Sequence, residues 1–326
     1  MSPGADEEQF PVPWTADDLP DLHGRTVLIT GATSGLGEAS AVAMATRGAH
    51  VVLATRSTER TVALMDRIHH RAPAASMEHL QVDLADLSSV SAAAASLTSR
   101  HDRIDSVMAN AGIMAPPLQR TVDGFELQMG VNHLGHFALI GGLLPLLAAA
   151  PEPRVVVVSS TAHRMAQLDP DDLNLERGRY QRWIAYGNSK LANLLYVLEL
   201  QRRAEEVGSP LTAVAAHPGY ANTALQSTGP TMQGGLSGAI TRAATRVGNL
   251  VFAQPASQGA LPQLYAATAP ALPGASYWGP DGPGEARGYP APAARSSRAT
   301  DRALAARVWQ ASEELTDLGY DLRSPS

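Results

Sequence analysis

The sequence feature that most constrains the fold is the run TVLITGATSGLG at residues 26–37, where a β-branched segment leads directly into Gly31, Gly35 and Gly37. The residues before the first glycine are typical of a buried strand, and the small and apolar residues after the last one are typical of a helix packed on a sheet. A glycine turn that opens a helix leaves backbone N–H groups without acceptors, with the positive end of the helix dipole behind them. We therefore predict that this turn binds a pyrophosphate. The spacing G-x-x-x-G-x-G differs from the common dinucleotide pattern G-x-G-x-x-G, so a tight turn without a ligand remains the alternative at this point.

Beyond this turn, segments typical of strands and helices alternate along the chain. Further strands are predicted at residues 50–54, 77–82, 104–109, 154–158, 211–216 and 275–278. Helices are predicted at residues 58–71, 88–100, 130–149 and 183–207, with a last one at residues 300–318. Alternation of this kind indicates right-handed β-α-β units, so we expect the α/β class with a doubly wound parallel sheet.

A chain of 326 residues is expected to form one large domain around such a sheet. Residues 1–23 hold four prolines and show no helical or strand periodicity, so we expect an extended arm with Trp14 packing on the domain. Residues 24–278 would form the nucleotide-binding domain, including a helical flap over the substrate at about residues 220–253. Residues 279–326 would form a Pro/Gly-rich loop and the last helix.

Composition narrows the class of protein. The net charge of −6 is spread along the chain, which disfavours a nucleic-acid or membrane-surface partner. The absence of cysteine excludes disulfides and thiolate metal sites. The acidic N-terminus MSPGADEEQF lacks the apolar segment of a signal peptide, and the longest apolar stretch, residues 139–150, is too short to span a membrane. We therefore expect a cytoplasmic protein.

Polar residues or glycines follow each predicted strand at its carboxyl end. In an open α/β sheet, ligands bind outside these ends. The residues that follow six strands in turn are Gly31, Arg56, Asp83, Asn110, Ser160 and the pair Pro218 and Gly219. Any one of them could be an ordinary turn residue, but six in succession indicate a shared site along one rim of the sheet.

The residues after the second strand favour one cofactor. A site that prefers NAD places a carboxylate on the ribose 2′-hydroxyl about 20 residues after the glycine turn. Thr55 stands there instead, followed by Arg56, and a guanidinium offers paired hydrogen bonds to a 2′-phosphate. Thr55 and Ser57 would add supporting hydroxyl groups. We therefore predict NADP(H) over NAD(H); the alternative is that Arg56 is a solvated surface residue.

Tyr186 and Lys190 lie four residues apart in a predicted helix, so both side chains can face one cleft. A free tyrosine has a pKa of about 10, and a nearby lysine cation favours the phenolate. Lowering that pKa to about 7 requires roughly 4 kcal/mol, which a partly desolvated cation at short range can supply. Tyr186 is thus a candidate general acid and base. A tyrosine and a lysine at this spacing are nevertheless common on helices and do not indicate a site by themselves.

Six motifs together resemble the short-chain dehydrogenase/reductase family. In the order and at the intervals of that family, they are TGATSGLG, residues 110–112, Asn132, residues 155–160, residues 186–190 and residues 217–219. The likeness covers about residues 25–225. Four details, LATR, VNHLGHF, RVVVVSSTAH and YGNSKLAN, look like the retinol dehydrogenase and protochlorophyllide reductase-like branch. The resemblance implies a Rossmann fold.

The resemblance also implies roles for the site residues. Tyr186 would exchange a proton with the substrate oxygen, and Lys190 would bind the nicotinamide ribose and lower the pKa of the tyrosine. Ser160, rather than Ser159, would orient the reacting oxygen. Asn132 would hold a water molecule that links the lysine to solvent. The residues expected to bind the cofactor are Gly31, Thr33, Ser34, Gly35, Leu36, Gly37, Arg56, Asp83, Leu84, Asn110, Ala111, Gly112, Tyr186, Lys190, Pro218, Gly219, Ala221 and Thr223.

We therefore expect an NADP(H)-dependent oxidoreductase that interconverts a carbonyl and an alcohol on a small lipophilic substrate. Reduction of a carbon–carbon double bond is the enzymatic alternative, and a non-catalytic NADP(H)-binding sensor is the alternative outside enzymes. A sugar-nucleotide epimerase is disfavoured by the glycine spacing. The resemblance implies a homodimer or homotetramer that pairs through the helices near Gly130 and Trp183, although the terminal arms could block that surface.

No metal site is expected from the sequence. His133 and His136 lie three residues apart but lack a carboxylate partner, so packing or capping roles are favoured over metal binding. His163 follows Ser160 closely enough to look over the cleft, where contact with substrate is the lesser alternative to packing.

Overall fold

A single sheet lies at the centre of the computed structural model, which describes residues 13–220 and 254–322. Its strands are β1 (Thr26–Thr30), β2 (His50–Thr55), β3 (Ser76–Gln81), β4 (Ser106–Ala109), β5 (Arg154–Val158), β6 (Thr212–Ala216), β7 (Tyr277–Pro280) and β8 (Pro290–Pro292). Their order in space is β3-β2-β1-β4-β5-β6-β7-β8, with β1 to β7 parallel and β8 antiparallel to β7. The chain winds outward from β1 in one direction and from β4 in the other. The predicted single domain with a doubly wound parallel sheet of the Rossmann type is confirmed.

Helices cover both faces of this sheet. They are α1 (Gly35–Thr46), α2 (Thr58–Arg71), α3 (Leu87–Thr98), α4 (Leu127–Met129), α5 (Gly135–Gly142), α6 (Leu144–Ala148), α7 (Arg182–Glu206), α8 (Ala256–Gly259), α9 (Leu261–Thr268) and α10 (Arg302–Thr316). Alternate strand residues enter opposite core layers: Leu28 belongs to the layer that also holds residues of α3, α5, α7 and α10, whereas Val27 and Ile29 belong to the layer that holds residues of α1, α2 and α9. The rim between β1 and β4, where the winding reverses, is the place at which such sheets bind ligands. None of the described helices combines the length and the apolarity needed to cross a membrane.

The predicted helix at residues 130–149 is wrong as one continuous element. The structure has a π-helix at Gly130–Leu134 between α4 and α5, and a break at Leu143 before α6. Pro145 lies in the first turn of α6, where the missing N–H of a proline costs nothing, but it could not continue the preceding helix. The apolar run therefore forms one continuous helical segment with a π turn, from α4 through α5, followed after the break by the short α6.

The two ends of the chain also differ from the expectation. In the predicted arm, a 3-10 helix forms at Ala16–Asp18, and the buried Trp14 packs edge-on against Tyr265 of α9, with ring centroids 5.4 Å apart. The predicted loop after residue 279 contains β8, whose prolines are tolerated because it is the edge strand of the sheet. The last helix forms as α10 and packs along α7.

Candidate active site

The glycine turn between β1 and α1 is held in a conformation that needs glycine. Gly31 and Gly35 have φ angles of +67° and +57°, in the left-handed region that side chains disfavour. A Cβ atom on Gly37 would lie 2.4 Å from the carbonyl oxygen of Gly31 and 2.6 Å from Nδ2 of Asn110. Ser34 occupies the N-cap of α1, yet its side chain makes no capping hydrogen bond in the described structure. The first N–H groups of the helix are therefore free of a competing side-chain acceptor where an anion would bind.

Buried hydrogen bonds connect the end of β1, just before this turn, to the residues that follow β4. The hydroxyl of Thr30 accepts hydrogen bonds from the backbone N–H groups of Asn110 (3.0 Å) and Ala111 (2.9 Å). It lies 2.8 Å from Nε2 of His136, whose Nδ1 is 3.1 Å from the carbonyl oxygen of Asn132. Since that carbonyl can only accept, Nδ1 carries the proton and Nε2 accepts from the threonine. Burial lowers the pKa of His136 to about 3, so this arrangement stays neutral.

The other histidines in question also have packing roles. Nε2 of His133 lies 2.8 Å from Oγ of Ser312 in α10, and burial lowers the histidine pKa to about 4. His163 is buried and does not line the cavity described below; its ring contacts the carbonyl of Ser160 and accepts from the N–H of Ser296. The alternative that His163 contacts substrate is therefore not supported by its position.

Three side chains of the predicted catalytic group meet at the carboxyl end of β5. Tyr186 and Lys190 project from the same face of α7, and the ammonium nitrogen of Lys190 is 5.8 Å from the centre of the Tyr186 ring. That nitrogen donates to the carbonyl of Val158 at 3.0 Å. The hydroxyl of Ser160, just beyond β5, lies close enough to Tyr186 to lower the pKa of the phenol, and it accepts a hydrogen bond from the N–H of Ala162 at 3.2 Å. A phenol, a hydroxyl and an ammonium thus line one wall.

The two serines beyond β5 are distinguished by their contacts. Oγ of Ser159 is buried and donates to the carbonyl of Lys190 at 2.8 Å, which fixes the strand against α7. Ser160 is half-buried and contacts the phenol of Tyr186. Both serines line the cavity, but the hydroxyl of Ser159 is already donated to Lys190, so Ser160 is the better placed of the two to bind an oxygen beside Tyr186.

Burial controls the titration of this group. It raises the pKa of Tyr186 to about 12, against a smaller lowering by the hydrogen bond with Ser160. It lowers the pKa of Lys190 to about 8. The expectation that Lys190 depresses the pKa of Tyr186 to about 7 is wrong for this structure, because desolvation of the phenolate dominates and the group that lowers the pKa is the Ser160 hydroxyl, not the lysine.

Asn132 lies behind the cavity wall in the π-helix and is fully buried. Its Oδ1 accepts from the N–H of Ile113 at 2.8 Å, and its Nδ2 donates to the carbonyl of Ile113 (3.0 Å) and to Oγ of Ser189 (2.9 Å). Both protons of the amide are thus used by the protein. The side chain fixes the loop after β4 next to Lys190, since a Cβ on Gly112 would contact both Oδ1 of Asn132 and Nζ of Lys190.

One cavity of about 940 Å³ joins the glycine turn to Tyr186. The predicted residues that line it are Gly31, Thr33, Ser34, Gly35, Leu36, Gly37, Arg56, Asp83, Leu84, Asn110, Ala111, Gly112, Ser160, Tyr186, Lys190, Pro218 and Gly219. Ala221, Thr223 and nearly all of the predicted flap at residues 220–253 lie outside the described residues. The volume suits an extended ligand together with a smaller one.

The end of the cavity beyond β2 holds two arginines. Arg56 and Arg60 both line it and are exposed, and Arg60 donates to the carbonyl of Thr33 at 3.3 Å. Thr55 is buried, with its hydroxyl bonded to Thr61, and Ser57 caps α2 by accepting from the N–H of Arg60. Both hydroxyl groups therefore already make hydrogen bonds within the protein, which leaves them little capacity to support a 2′-phosphate as expected. Arg60 is not among the residues predicted from the sequence, although its position four residues after Arg56 is a signal that could have indicated it.

Apolar side chains line the cavity beside Tyr186, next to Arg182. Trp183, 47% exposed, packs edge-on against Tyr186 with ring centroids 6.3 Å apart. Met114, Leu127 and Val131 also line the cavity. None of these residues is predicted from the sequence as a site residue, although Trp183 lies almost one turn before Tyr186 on the same helix.

The chain is similar in sequence and structure to several known proteins. Residues 25–233 match the family model of short chain dehydrogenases. Retinol dehydrogenase 13 of Homo sapiens is 41% identical over 204 residues, a match that spans 63% of this chain and 61% of that protein's length. A Streptomyces protein provisionally named daunorubicin C-13 ketoreductase is 37% identical over 293 residues, 89% of this chain and 92% of that protein. The crystal structure of an uncharacterized protein from Mycobacterium paratuberculosis, 43% identical, superposes with a TM-score of 0.76 over 96% of this chain and 100% of that one.

Proposed function

The chain belongs to the short-chain dehydrogenase family of nicotinamide-dependent oxidoreductases, in its retinol dehydrogenase-like branch, and on that premise we propose that it interconverts a carbonyl and an alcohol with NADP(H). The observation that carries the proposal is the meeting of Tyr186, Ser160 and Lys190 at one wall of a cavity that extends from the glycine turn. A tight turn alone would need neither the phenol nor the ammonium.

The residues present fit the cofactor. The uncapped start of α1 would hold the pyrophosphate, and the close approach at Gly37 leaves no room there for a side chain. Asp83 and Leu84 would flank the adenine, and Pro218 and Gly219 would border the nicotinamide. When bound, the cofactor would donate or accept the hydride, while the protein supplies position and charge.

The protein would move the proton. Because burial raises the pKa of Tyr186 to about 12, its phenol is protonated at neutral pH and suited to donate a proton to a carbonyl oxygen during reduction. Ser160 would donate a hydrogen bond to the same oxygen and hold it beside the phenol. With a pKa of about 8, Lys190 is mostly protonated at pH 7 and would stabilise the phenolate left after transfer.

Preference for NADP(H) is supported by the two arginines beyond β2. Arg56 and Arg60 place two guanidinium groups at the cavity end where the adenosine ribose would lie, and no described carboxylate lines that end except Asp83 beyond β3. Paired donors of this kind suit a 2′-phosphate. The prediction of NADP(H) thus rests on two arginines rather than one.

A lipophilic substrate is supported by the apolar side chains that line the cavity. Trp183 offers a flat aromatic ring beside Tyr186, and Met114 and Leu127 add flexible aliphatic surface to the cavity lining. Such surfaces suit polyene or fused-ring compounds better than sugars or short hydroxy acids. The names of the retinol dehydrogenase and of the Streptomyces ketoreductase point to the same two classes of substrate.

The test is NADPH consumption with a panel of lipophilic ketones and aldehydes, including a retinoid aldehyde and a polycyclic aromatic ketone, and NADPH formation with the matching alcohols. Tyr186→Phe should bind NADPH but lose nearly all turnover. Tyr265→Phe, which removes a hydroxyl from α9 on the other layer, is the matched control and should keep it. NADPH binding without turnover across the panel, in the original chain as well as in Tyr186→Phe, would favour a sensor instead.

A further inference from the structure

Three potential metal ligands meet at the end of the sheet opposite to the cavity. His50 is the first residue of β2, Glu78 lies in β3, and His101 follows α3. One ligand atom from each residue, an imidazole nitrogen or a carboxylate oxygen, lies within 4.8 Å of the other two. Arg56 lines the cavity beyond the far end of β2, so the strand separates the two places. In the part of the chain that the structure describes, this is the only cluster of its kind.

We propose that His50, Glu78 and His101 bind a divalent transition-metal ion, with Zn²⁺ as the best match. Two imidazoles and one carboxylate are a ligand set that zinc accepts, with water completing a tetrahedron. Imidazole nitrogens disfavour Mg²⁺ and Ca²⁺, which prefer oxygen ligands. The proposal is independent of the proposed oxidoreductase function.

The distances require only small side-chain movements. Oε1 of Glu78 lies 2.5 Å from Nε2 of His101 and 3.8 Å from Nε2 of His50. Two ligand atoms on one tetrahedral zinc, each about 2.1 Å from the metal, are about 3.4 Å apart. His101 would therefore move outward by about 0.9 Å and His50 inward by about 0.4 Å, which rotations of these side chains allow.

Neighbouring groups already orient the ligands for this role. Nδ1 of His50 is 2.7 Å from Oγ of Ser76, a contact that can hold the proton on Nδ1 and leave the lone pair of Nε2 facing Glu78. Arg100 donates to Oε2 of Glu78 at 2.6 Å, which leaves Oε1 for the cluster. His101 follows the carboxyl end of α3, where the helix dipole favours a cation.

Partial burial of the three side chains distinguishes this cluster from residues that meet by chance on the surface. The side chains of His50, Glu78 and His101 are 29%, 21% and 16% exposed, so they are partly desolvated and yet reachable by an ion. The metal would join β2, the edge strand β3 and the end of α3. Because an ion that binds only the folded chain stabilises it by mass action, thermal stability should depend on zinc concentration.

The test uses the full chain, treated with a chelator and then titrated with Zn²⁺ by calorimetry. We expect one ion per chain and a rise in Tm on addition of zinc. Co²⁺ in place of zinc should give the visible absorption of a tetrahedral site. His101→Gln and His50→Gln should each weaken zinc binding at least 10- to 100-fold, since even the loss of a supporting residue has an effect of that size.

The control is the double change of His69 and His70 to glutamine, which removes two histidines of α2 that lie outside the cluster. It should leave zinc affinity, the Tm rise and the cobalt spectrum unchanged. Circular dichroism and cooperative thermal unfolding without zinc check that the His50 and His101 variants remain folded. The proposal is overturned if the original chain binds no zinc, or if folded His50→Gln and His101→Gln bind it as tightly as the original.

Discussion

Replacement of His133 by glutamine should remove about 2 kcal/mol of the stability that the chain loses between pH 7 and pH 5. The hydroxyl of Ser312 donates to the carbonyl of Val308 at 2.7 Å, so Nε2 of His133 must be the donor in its 2.8 Å contact with that hydroxyl. The amide nitrogen of glutamine reaches nearly the same position and can donate likewise. The change therefore removes the titration while keeping the contact.

The magnitude follows from the two pKa values of His133. In the unfolded chain the pKa is about 6.5, and burial lowers it to about 4 in the folded chain. Below pH 6.5 the unfolded chain takes up a proton that the folded chain refuses until about pH 4, so stability falls as the pH falls through this interval. Integration between pH 7 and pH 5 gives a loss of about 2 kcal/mol from this one residue.

Urea unfolding at pH 7 and pH 5, followed by circular dichroism, measures this loss. The drop in unfolding free energy between the two pH values should be about 2 kcal/mol smaller in His133→Gln than in the original chain. His69→Gln, at an exposed position on α2, should leave the drop unchanged. An equal drop in the original chain and in His133→Gln would refute the claim that the folded chain keeps this ring neutral.

Three further predictions concern the cavity. Gly37→Ala places a methyl group 2.4 Å from a backbone oxygen of the glycine turn, so it should weaken NADPH binding at least about 10-fold by fluorescence titration, with unchanged binding as the contrary result. Arg56→Ala and Arg60→Ala should each weaken NADPH binding about 10-fold and leave NADH binding nearly unchanged, because only NADPH carries the 2′-phosphate; equal losses for both cofactors would reject that role. Ser160→Ala should lower kcat about 100-fold with little change in Tm. Ser159→Ala should chiefly lower Tm, because it removes the hydrogen bond to the backbone of α7. The reverse pattern would show that the two serines have each other's roles.

The parts of the site that the sequence predicted are those determined by local chain geometry. Gly31, Gly35 and Gly37 lie within seven residues of one another, so their turn can be predicted without knowledge of any distant contact. Tyr186 and Lys190 are one helical turn apart, so their shared face follows from helix geometry alone. The rim residues were found because parallel strands end at the same edge of the sheet.

The parts that were missed depend on what surrounds each residue after folding. The sign of the shift in the pKa of Tyr186 depends on desolvation by the whole cavity wall, which no spacing in the sequence reports. The amide of Asn132 is engaged by Ile113 and Ser189, which lie 19 residues before it and 57 residues after it. Likewise, the cluster of His50, Glu78 and His101 combines two strands and a helix end, and none of its members is near another in the sequence.

Burial of helix α7 bears on how the chain assembles. The resemblance assigns subunit pairing to the helices near Gly130 and Trp183, yet every residue from 185 to 197 is buried within the single chain. A stretch of more than three helical turns with no exposed residue has no outer face left for a partner. The last helix, α10, and residues 317–322 cover the side of α7 that neither the sheet nor α5 contacts.

Aromatic contacts hold α10 against α7. Trp309 of α10 is 1% exposed, stacks on Tyr196 with ring centroids 5.6 Å apart, and lies 4.5 Å from the guanidinium of Arg203. Truncation of a buried tryptophan costs about 3–5 kcal/mol, so undocking α10 to admit a partner would be expensive. We therefore expect light scattering to give a monomer mass, or a dimer whose mass persists when exposed positions of α7 such as Trp183 are changed to Asp. A dimer that dissociates on Trp183→Asp would instead show that subunits pair at the exposed start of α7, where the cover does not reach.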